Sequence, residues 1–371
     1  MIYLDYQATT PLDPTVRDAM LPWLGGKPGN PHAANRAGRE AAAAIEVARG
    51  YVAQALEAAS GRVIFTSGAT EAANWALRGA LDLMAPRRTI VTVATEHNCV
   101  LETARWLERQ GCDLRILTVD ADGLIDEDQA VAAIDESVAL VAVMAVNNEI
   151  GVMQPLTRIS ARAREVGALF FCDAVQGFGR MGLPLETTDM VAIAAHKVHG
   201  PAGIGALWLR DGLDLPPLLF GGGQQDGLRP GTLPTALCVG FGAAADQLNG
   251  WWEDDLANVD VLWARAIRAF GRDWTVNGST RRRYRGNLNI RRYGVDANRL
   301  ISEVRQVAFS AGSACASGTG RPSHVLKALG LSEAQARSSI RLGFGRFTTE
   351  AEIDQAAVLI NAAAEAQLEW A

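Results

Sequence analysis

Lys197 follows the apolar run Met190-Val191-Ala192-Ile193 and sits within Ala194-Ala195-His196-Lys197-Val198-His199-Gly200-Pro201. A lysine delivered by a buried strand into a glycine-containing turn is placed for Schiff-base chemistry, because desolvation lowers an ammonium pKa and frees the amine to attack a carbonyl. Upstream, Ala168-Leu169-Phe170-Phe171-Cys172-Asp173 is a second apolar strand that ends in a carboxylate. That carboxylate suits the ring nitrogen of a pyridoxal cofactor. A lone lysine at a strand end would be read as solvated. With Asp173, Gln176 and the adjacent glycines beside it, a cofactor site is the better reading.

Other segments carry complementary chemistry. Ser67-Gly68-Ala69-Thr70-Glu71 follows a strand and opens a helix, so its backbone amides form a ready phosphate site to which Thr70 adds a hydroxyl. A plain N-cap competes with that reading. His97, in Ala94-Thr95-Glu96-His97-Asn98-Cys99, could lay its ring on an aromatic cofactor and pass protons, or be a satisfied structural histidine. Asn147 and Asn148 end another apolar strand, where an amide holds a cofactor oxygen or a substrate carboxylate, or simply forms a turn. Arg341, set in an apolar strand, requires a partner: a bidentate carboxylate or an internal salt bridge. The glycine-rich stretch Gly221 to Pro234 contains Thr232. Of the five cysteines, Cys172 reads as inert packing, whereas Cys315 lies among small residues, Ser310 to Gly320, as an accessible thiol able to reach a substrate as thiolate.

These residues need a scaffold, and the patterning supplies one. From about residue 14 to 248, apolar strands alternate with amphipathic or alanine-rich helices, the mark of a mainly parallel sheet covered on both faces. Seven strands are expected: 62–66, 89–94, 113–118, 138–145, 169–173, 190–194 and 205–209. Helices are expected over 33–59, 71–81, 101–109 and 156–166. Asp173, Lys197, His97, Asn148 and Thr70 all fall just after a strand, where open sheets of this type bind ligands. Residues 249–371 have a different character, with helices near 253–270, from 296 and from 349, and strands near 287–290, 307–310 and 339–342. Residues 1–13 are expected to pack on this smaller unit.

The 371 residues exceed one ordinary core, and a hydrophobic share of 49% with 20% charged residues describes a globular protein. A net charge of -6 gives no field that would favour nucleic acid or an anionic membrane. No apolar run approaches the roughly 20 residues that span a bilayer. With no signal-like start and no cysteine framework, the expected location is the cytoplasm. The scattered histidines argue against a metal site.

In order, the motifs Tyr3 to Pro11, Thr66 to Glu71, Asn147 to Gly151, His196-Lys197, Gly231 to Pro234 and Ser338 to Thr349 resemble the cysteine desulfurases of the NifS and IscS type, in the class V aminotransferase group. The resemblance implies an α/β chain with the pyridoxal-phosphate-dependent transferase fold of type I: a large domain with a mainly parallel seven-stranded sheet, plus a smaller α+β domain. It implies that pyridoxal 5'-phosphate is linked to Lys197, with Asp173 on the pyridine nitrogen, Gln176 on the ring hydroxyl and His97 stacked on the ring. Ala69, Thr70 and His196 would hold the phosphate, joined by Thr232 from the second subunit of a homodimer. Asn148 would border cofactor and substrate, and with Arg341 take the carboxylate of L-cysteine. Cys315 would form a persulfide for delivery to a sulfur-acceptor protein such as an iron-sulfur scaffold, or toward transfer RNA thiolation. Three departures stand out: Ala194 where a serine is usual, the Gln224-Gln225-Asp226 stretch, and a chain that ends soon after its closing helix. A selenocysteine lyase or aminotransferase would share the lysine and aspartate, and a non-catalytic sulfur-relay component would need neither. Cys315 argues against plain transamination.

Overall fold

The computed structural model describes residues 1–312 and 323–369. Its strands are β1 (Ile2–Tyr3), β2 (Arg62–Thr66), β3 (Thr89–Val93), β4 (Asp113–Leu117), β5 (Val138–Met144), β6 (Leu169–Asp173), β7 (Met190–Ala194), β8 (Gly205–Leu209), β9 (Thr275–Val276), β10 (Asn287–Arg291), β11 (Val307–Ala308) and β12 (Ser339–Gly343). Seven of them form one sheet in the order β2-β8-β7-β6-β5-β3-β4. β8 runs antiparallel to both of its neighbours, and every other pairing in this sheet is parallel. β7, β6, β5 and β3 are buried along their whole length, as a sheet covered on both faces requires.

Side-chain alternation divides the interior into two layers. Val141, Val143, Phe170, Cys172, Val191 and Ile193 point to one face, which is packed by the helices Arg36–Ala55, Leu156–Glu165 and the first half of Thr235–Phe270. Leu140, Ala142, Leu169, Phe171, Met190 and Ala192 point to the other, against Ala69–Leu83 and Asn98–Arg109. A separate core gathers Ile2, Leu4, Leu262, Trp263, Leu288, Ile290, Ile340, Leu342, Ile353 and Ile360. It lies between β9, β10, β12 and the closing helix Glu350–Glu369.

Several element boundaries differ from expectation by a few residues, and two of the differences have a clear physical reason. The 36-residue helix Thr235–Phe270 continues without a break through position 248, although Asn249-Gly250 reads as punctuation. Its early turns bury Ala244, Ala245 and Leu248 against the large sheet, and its later turns bury Leu262, Trp263 and Ala266 in the second core. Packing at both ends outweighs the glycine penalty of about 1 kcal/mol. The helix expected over 33–59 runs from Arg36 to Ala55. Asn35 caps its start by accepting from Gly38 N at 2.8 Å, and Glu57 lies beyond its end with a left-handed φ of 57°.

The N-terminal segment is tied to both cores. β1 pairs in parallel with β11, Asp5 bridges Gly343, and Gly343 N donates to Leu4 O at 2.8 Å. Thr10 then reaches the large unit, with N and Oγ1 both donating to His196 O at 2.9 and 3.0 Å.

Candidate active site

The carboxyl ends of β2, β3, β5, β6 and β7 open onto a cavity of about 410 Å³, enclosed from the opposite side by Gln7, Ala8, His324 and Arg341. Nine of the sequence-predicted site residues, Ala69, Thr70, His97, Asn148, Asp173, Gln176, His196, Lys197 and Arg341, line it. Thr232 is exposed and lies outside the wall. Cys315 lies outside the described residues.

Lys197 ends a short 3-10 turn, Ala195–Lys197, directly after β7. Its ammonium donates to Gln7 O at 2.6 Å and Ala8 O at 2.7 Å, so the first residues of the chain hold the amine. Gly200 closes the turn, because a Cβ there would meet Ala195 O at 2.8 Å. Asp173 ends β6, and its Oδ1 accepts from Val175 N at 3.0 Å. Burial raises the Asp173 carboxyl above its usual range despite the countering charges of His97 and Lys197. A carboxylate in that state is suited to a protonated ring nitrogen. Behind it, burial and Asp173 itself push the Glu96 carboxyl well above normal. Glu96 Oε1 accepts from Met144 N at 2.5 Å, while its Oε2 has no hydrogen-bond partner among the described residues.

Ser67 and Gly68 lead into the helix Ala69–Leu83, whose start has no side-chain cap and lines the cavity through Ala69, Thr70 and Glu71. Close packing fixes this turn: a Cβ on Gly205, at the start of β8, would meet Ile193 O at 2.6 Å and Gly68 C at 2.9 Å. Arg229 anchors it from outside through Glu71, with Nε to Oε1 at 2.8 Å, and Glu71 Oε2 also accepts from Ser67 N at 2.8 Å. Burial, then Lys197, lower the His196 pKa to about 4, so the ring is neutral at physiological pH and offers one N–H donor. A helix start, a threonine and a neutral histidine fit a phosphate.

The two asparagines divide their work. Asn147 builds the turn, its Oδ1 accepting from Glu149 N and Ile150 N, while Asn148 lines the cavity. His97 caps the helix Asn98–Arg109 through Nδ1, which accepts from Cys99 N at 3.2 Å. Arg341 is 1% exposed. Its Nη2 donates to Asp5 Oδ1 at 2.7 Å and Ser310 Oγ at 3.2 Å, and its Nη1 to Asn148 O at 3.2 Å. Nε is buried with no hydrogen-bond partner among the described residues, so an internal salt bridge occupies one side of the guanidinium and leaves donor capacity for a carboxylate.

Sequence reasoning missed Gln7, Ala8, Cys99, Arg180 and His324. Cys99 Sγ lies 3.1 Å from His97 Nδ1, and burial pushes its thiol pKa up, as it does for Cys172 within β6. His324 starts the helix His324–Ala328 and its Nε2 donates to Glu96 O at 2.9 Å. Cys99 was within reach of the sequence, two residues after His97. Gln7, Ala8 and His324 arrive from distant chain segments with no local signature.

A lysine and a buried aspartate at neighbouring strand ends, with a helix start for a phosphate on the same cavity wall, define the class of fold-type-I pyridoxal-phosphate enzymes. Residues 2–356 match the family described as aminotransferase class-V. The cysteine desulfurase IscS of Rickettsia bellii is 44% identical over 368 residues, covering 97% of this chain and 90% of the relative. A solved NifS-like protein superposes with a TM-score of 0.90 at 29% identity over 100% of both chains. A structure described as SspA in complex with cysteine gives 0.84 at 35% identity, covering 94% of this chain and 100% of the other. The chain belongs to the class-V aminotransferase family, on its cysteine desulfurase branch.

Proposed function

We propose that this chain is a pyridoxal-phosphate-dependent cysteine desulfurase that converts L-cysteine to L-alanine and retains the sulfur on Cys315 as a persulfide. The observation that carries the reading is the single cavity in which Lys197, Asp173, the Ser67 to Thr70 helix start and Arg341 meet. When bound, the cofactor supplies an electron sink that labilises bonds at the substrate carbons.

This chain's own residues bind and orient. Lys197 Nζ, held by Gln7 O and Ala8 O, would be the amine that carries the cofactor and would hold or return the proton at the substrate alpha carbon. Asp173 would keep the ring nitrogen protonated, and Gln176 would donate to the ring oxygen. Thr70, His196 and the helix start at Ala69 would hold the phosphate, with Thr232 contributed across a homodimer. Asn148 and Arg341 would take the substrate carboxylate. His97 would lie against the cofactor and handle a proton at the thiol. The Cys315 thiolate attacks the substrate sulfur, so that the sulfur-sulfur bond forms as the carbon-sulfur bond breaks; the bonding pair stays with the substrate carbon, which takes up a proton before L-alanine leaves. An acceptor protein then takes the outer sulfur. Among the described residues no helix is long and apolar enough to cross a membrane; we take the enzyme to work in the cytoplasm, with no nucleic acid partner of its own.

Alanine release from L-cysteine, measured with and without a reducing thiol, tests the reading. Lys197→Ala abolishes the visible absorption of the lysine-linked cofactor. Cys315→Ser keeps that band and binds cysteine, yet forms no persulfide. A band that persists without Lys197, or normal sulfide release without Cys315, refutes the respective assignment.

A further inference from the structure

Arg180 is 9% exposed, and among the described residues no carboxylate pairs with it. Its Nη1 donates to Gln176 Oε1 at 2.6 Å and Gln176 O at 3.2 Å, and its Nη2 to Lys197 O at 2.6 Å. The guanidinium also lies over the Tyr284 ring, 4.6 Å from its centroid. A buried cation that forms no ion pair gains little stability, which leaves what it positions as the reason for its placement.

What it positions is an amide. Side-chain amides are ambiguous between oxygen and nitrogen, but a guanidinium only donates, so the Gln176 atom facing Arg180 is the oxygen. Gln176 Nε2 therefore points the other way. One of its two protons goes to Gln7 O at 3.0 Å, and the second remains at the cavity, whose wall both residues share. Accepting from a cation also polarises the amide and strengthens its N–H as a donor.

We propose that Arg180 is a positioning residue that locks Gln176 as a hydrogen-bond donor toward the cofactor ring oxygen and so favours the deprotonated form of that oxygen. The inference rests on the reading of this cavity as a pyridoxal-phosphate site. Without Arg180 the amide is free to turn and present Oε1, which favours the protonated ring hydroxyl instead.

The test compares the absorbance of purified holoenzymes as a function of pH, reading the ratio of the bands of the two protonation forms, which is independent of loading. Arg180→Met shifts the ratio toward the protonated form by about fivefold or more, the effect of exchanging a donor for an acceptor at one oxygen. Arg180→Lys, which restores a cationic donor four residues from Gln176, recovers most of it. Gln176→Glu keeps Arg180 but presents an acceptor and shifts the ratio the same way, so it decides the matter if Arg180→Met does not fold. A wild-type ratio in folded Arg180→Met, or in Gln176→Glu where Arg180→Met does not fold, overturns the inference alone, even if melting temperatures fall. A wild-type protein that shows no lysine-linked band overturns the cofactor reading, and this inference with it.

Discussion

His199→Asn isolates one titration from the rest of the molecule. His199 is 7% exposed, with Nδ1 donating to Pro11 O at 3.0 Å and its ring edge-on to Phe347 at 5.2 Å and Tyr6 at 5.9 Å. Burial lowers its pKa from 6.5 to about 4; the Pro11 hydrogen bond and Asp255 oppose that shift, while Arg346 and Arg180 add to it. The unfolded chain therefore binds a proton between those two pH values and the folded chain does not. Stability from this group is whole above about pH 6.5 and is lost as pH falls toward 4. At about 1.4 kcal/mol per unit, acidification from about pH 7.5 to 4.5 removes about 2 kcal/mol after allowance for residual exposure. Asparagine removes the titration while tolerating the left-handed φ of 64° and offering an N–H to Pro11. His199 lies outside the cofactor cavity wall, so loading does not alter its contribution. Urea unfolding of both proteins across this range shows a variant whose profile is flatter by that amount. Two parallel profiles refute the reasoning.

Arg341→Met removes the donors facing Asp5 and the cavity, and raises KM for L-cysteine by about 10- to 100-fold, the worth of a charge-assisted hydrogen bond, while the cofactor band stays in place. An unchanged KM rejects Arg341 as the carboxylate site. Gly205→Ala inserts a Cβ 2.6 Å from Ile193 O and 2.9 Å from Gly68. The strain costs about 1–3 kcal/mol and displaces the phosphate turn, so both thermal midpoint and cofactor retention on dialysis fall. Retention equal to wild type shows that the turn tolerates the shift.

Much of the large sheet was legible because its strands are short apolar runs bounded by polar or glycine residues. β2, β6, β7 and β8 have the ends read from the sequence. The site residues that follow these strands, Thr70, His97, Asn148, Asp173 and Lys197, were legible for the same reason, since the end of a parallel strand is a place as well as a pattern. The helix Thr235–Phe270 was not, because Asn249-Gly250 carries the local signal of a break and only packing on two separate cores overrides it. Gln7 and Lys197 are 190 residues apart, and Arg341 and Asp5 are 336 apart. No periodicity encodes such meetings. Arg180 was hidden differently, since an arginine after Gly177-Phe178-Gly179 reads as surface until its carbonyl partners are known.

The pairing of β1 with β11, and of Leu4 with Gly343, bears on how the protein is made. β1 finds its strand partner only after about 300 further residues have been joined, so its edge stays open while the large sheet is built. The large sheet is complete by Leu209, and Thr10 ties the segment that carries Gln7 and Ala8 to His196, whereas its second anchor forms only when β11 and β12 emerge. A nascent chain stalled before Ser339 thus carries a finished floor and lacks Arg341, the part of the roof that the last strand supplies.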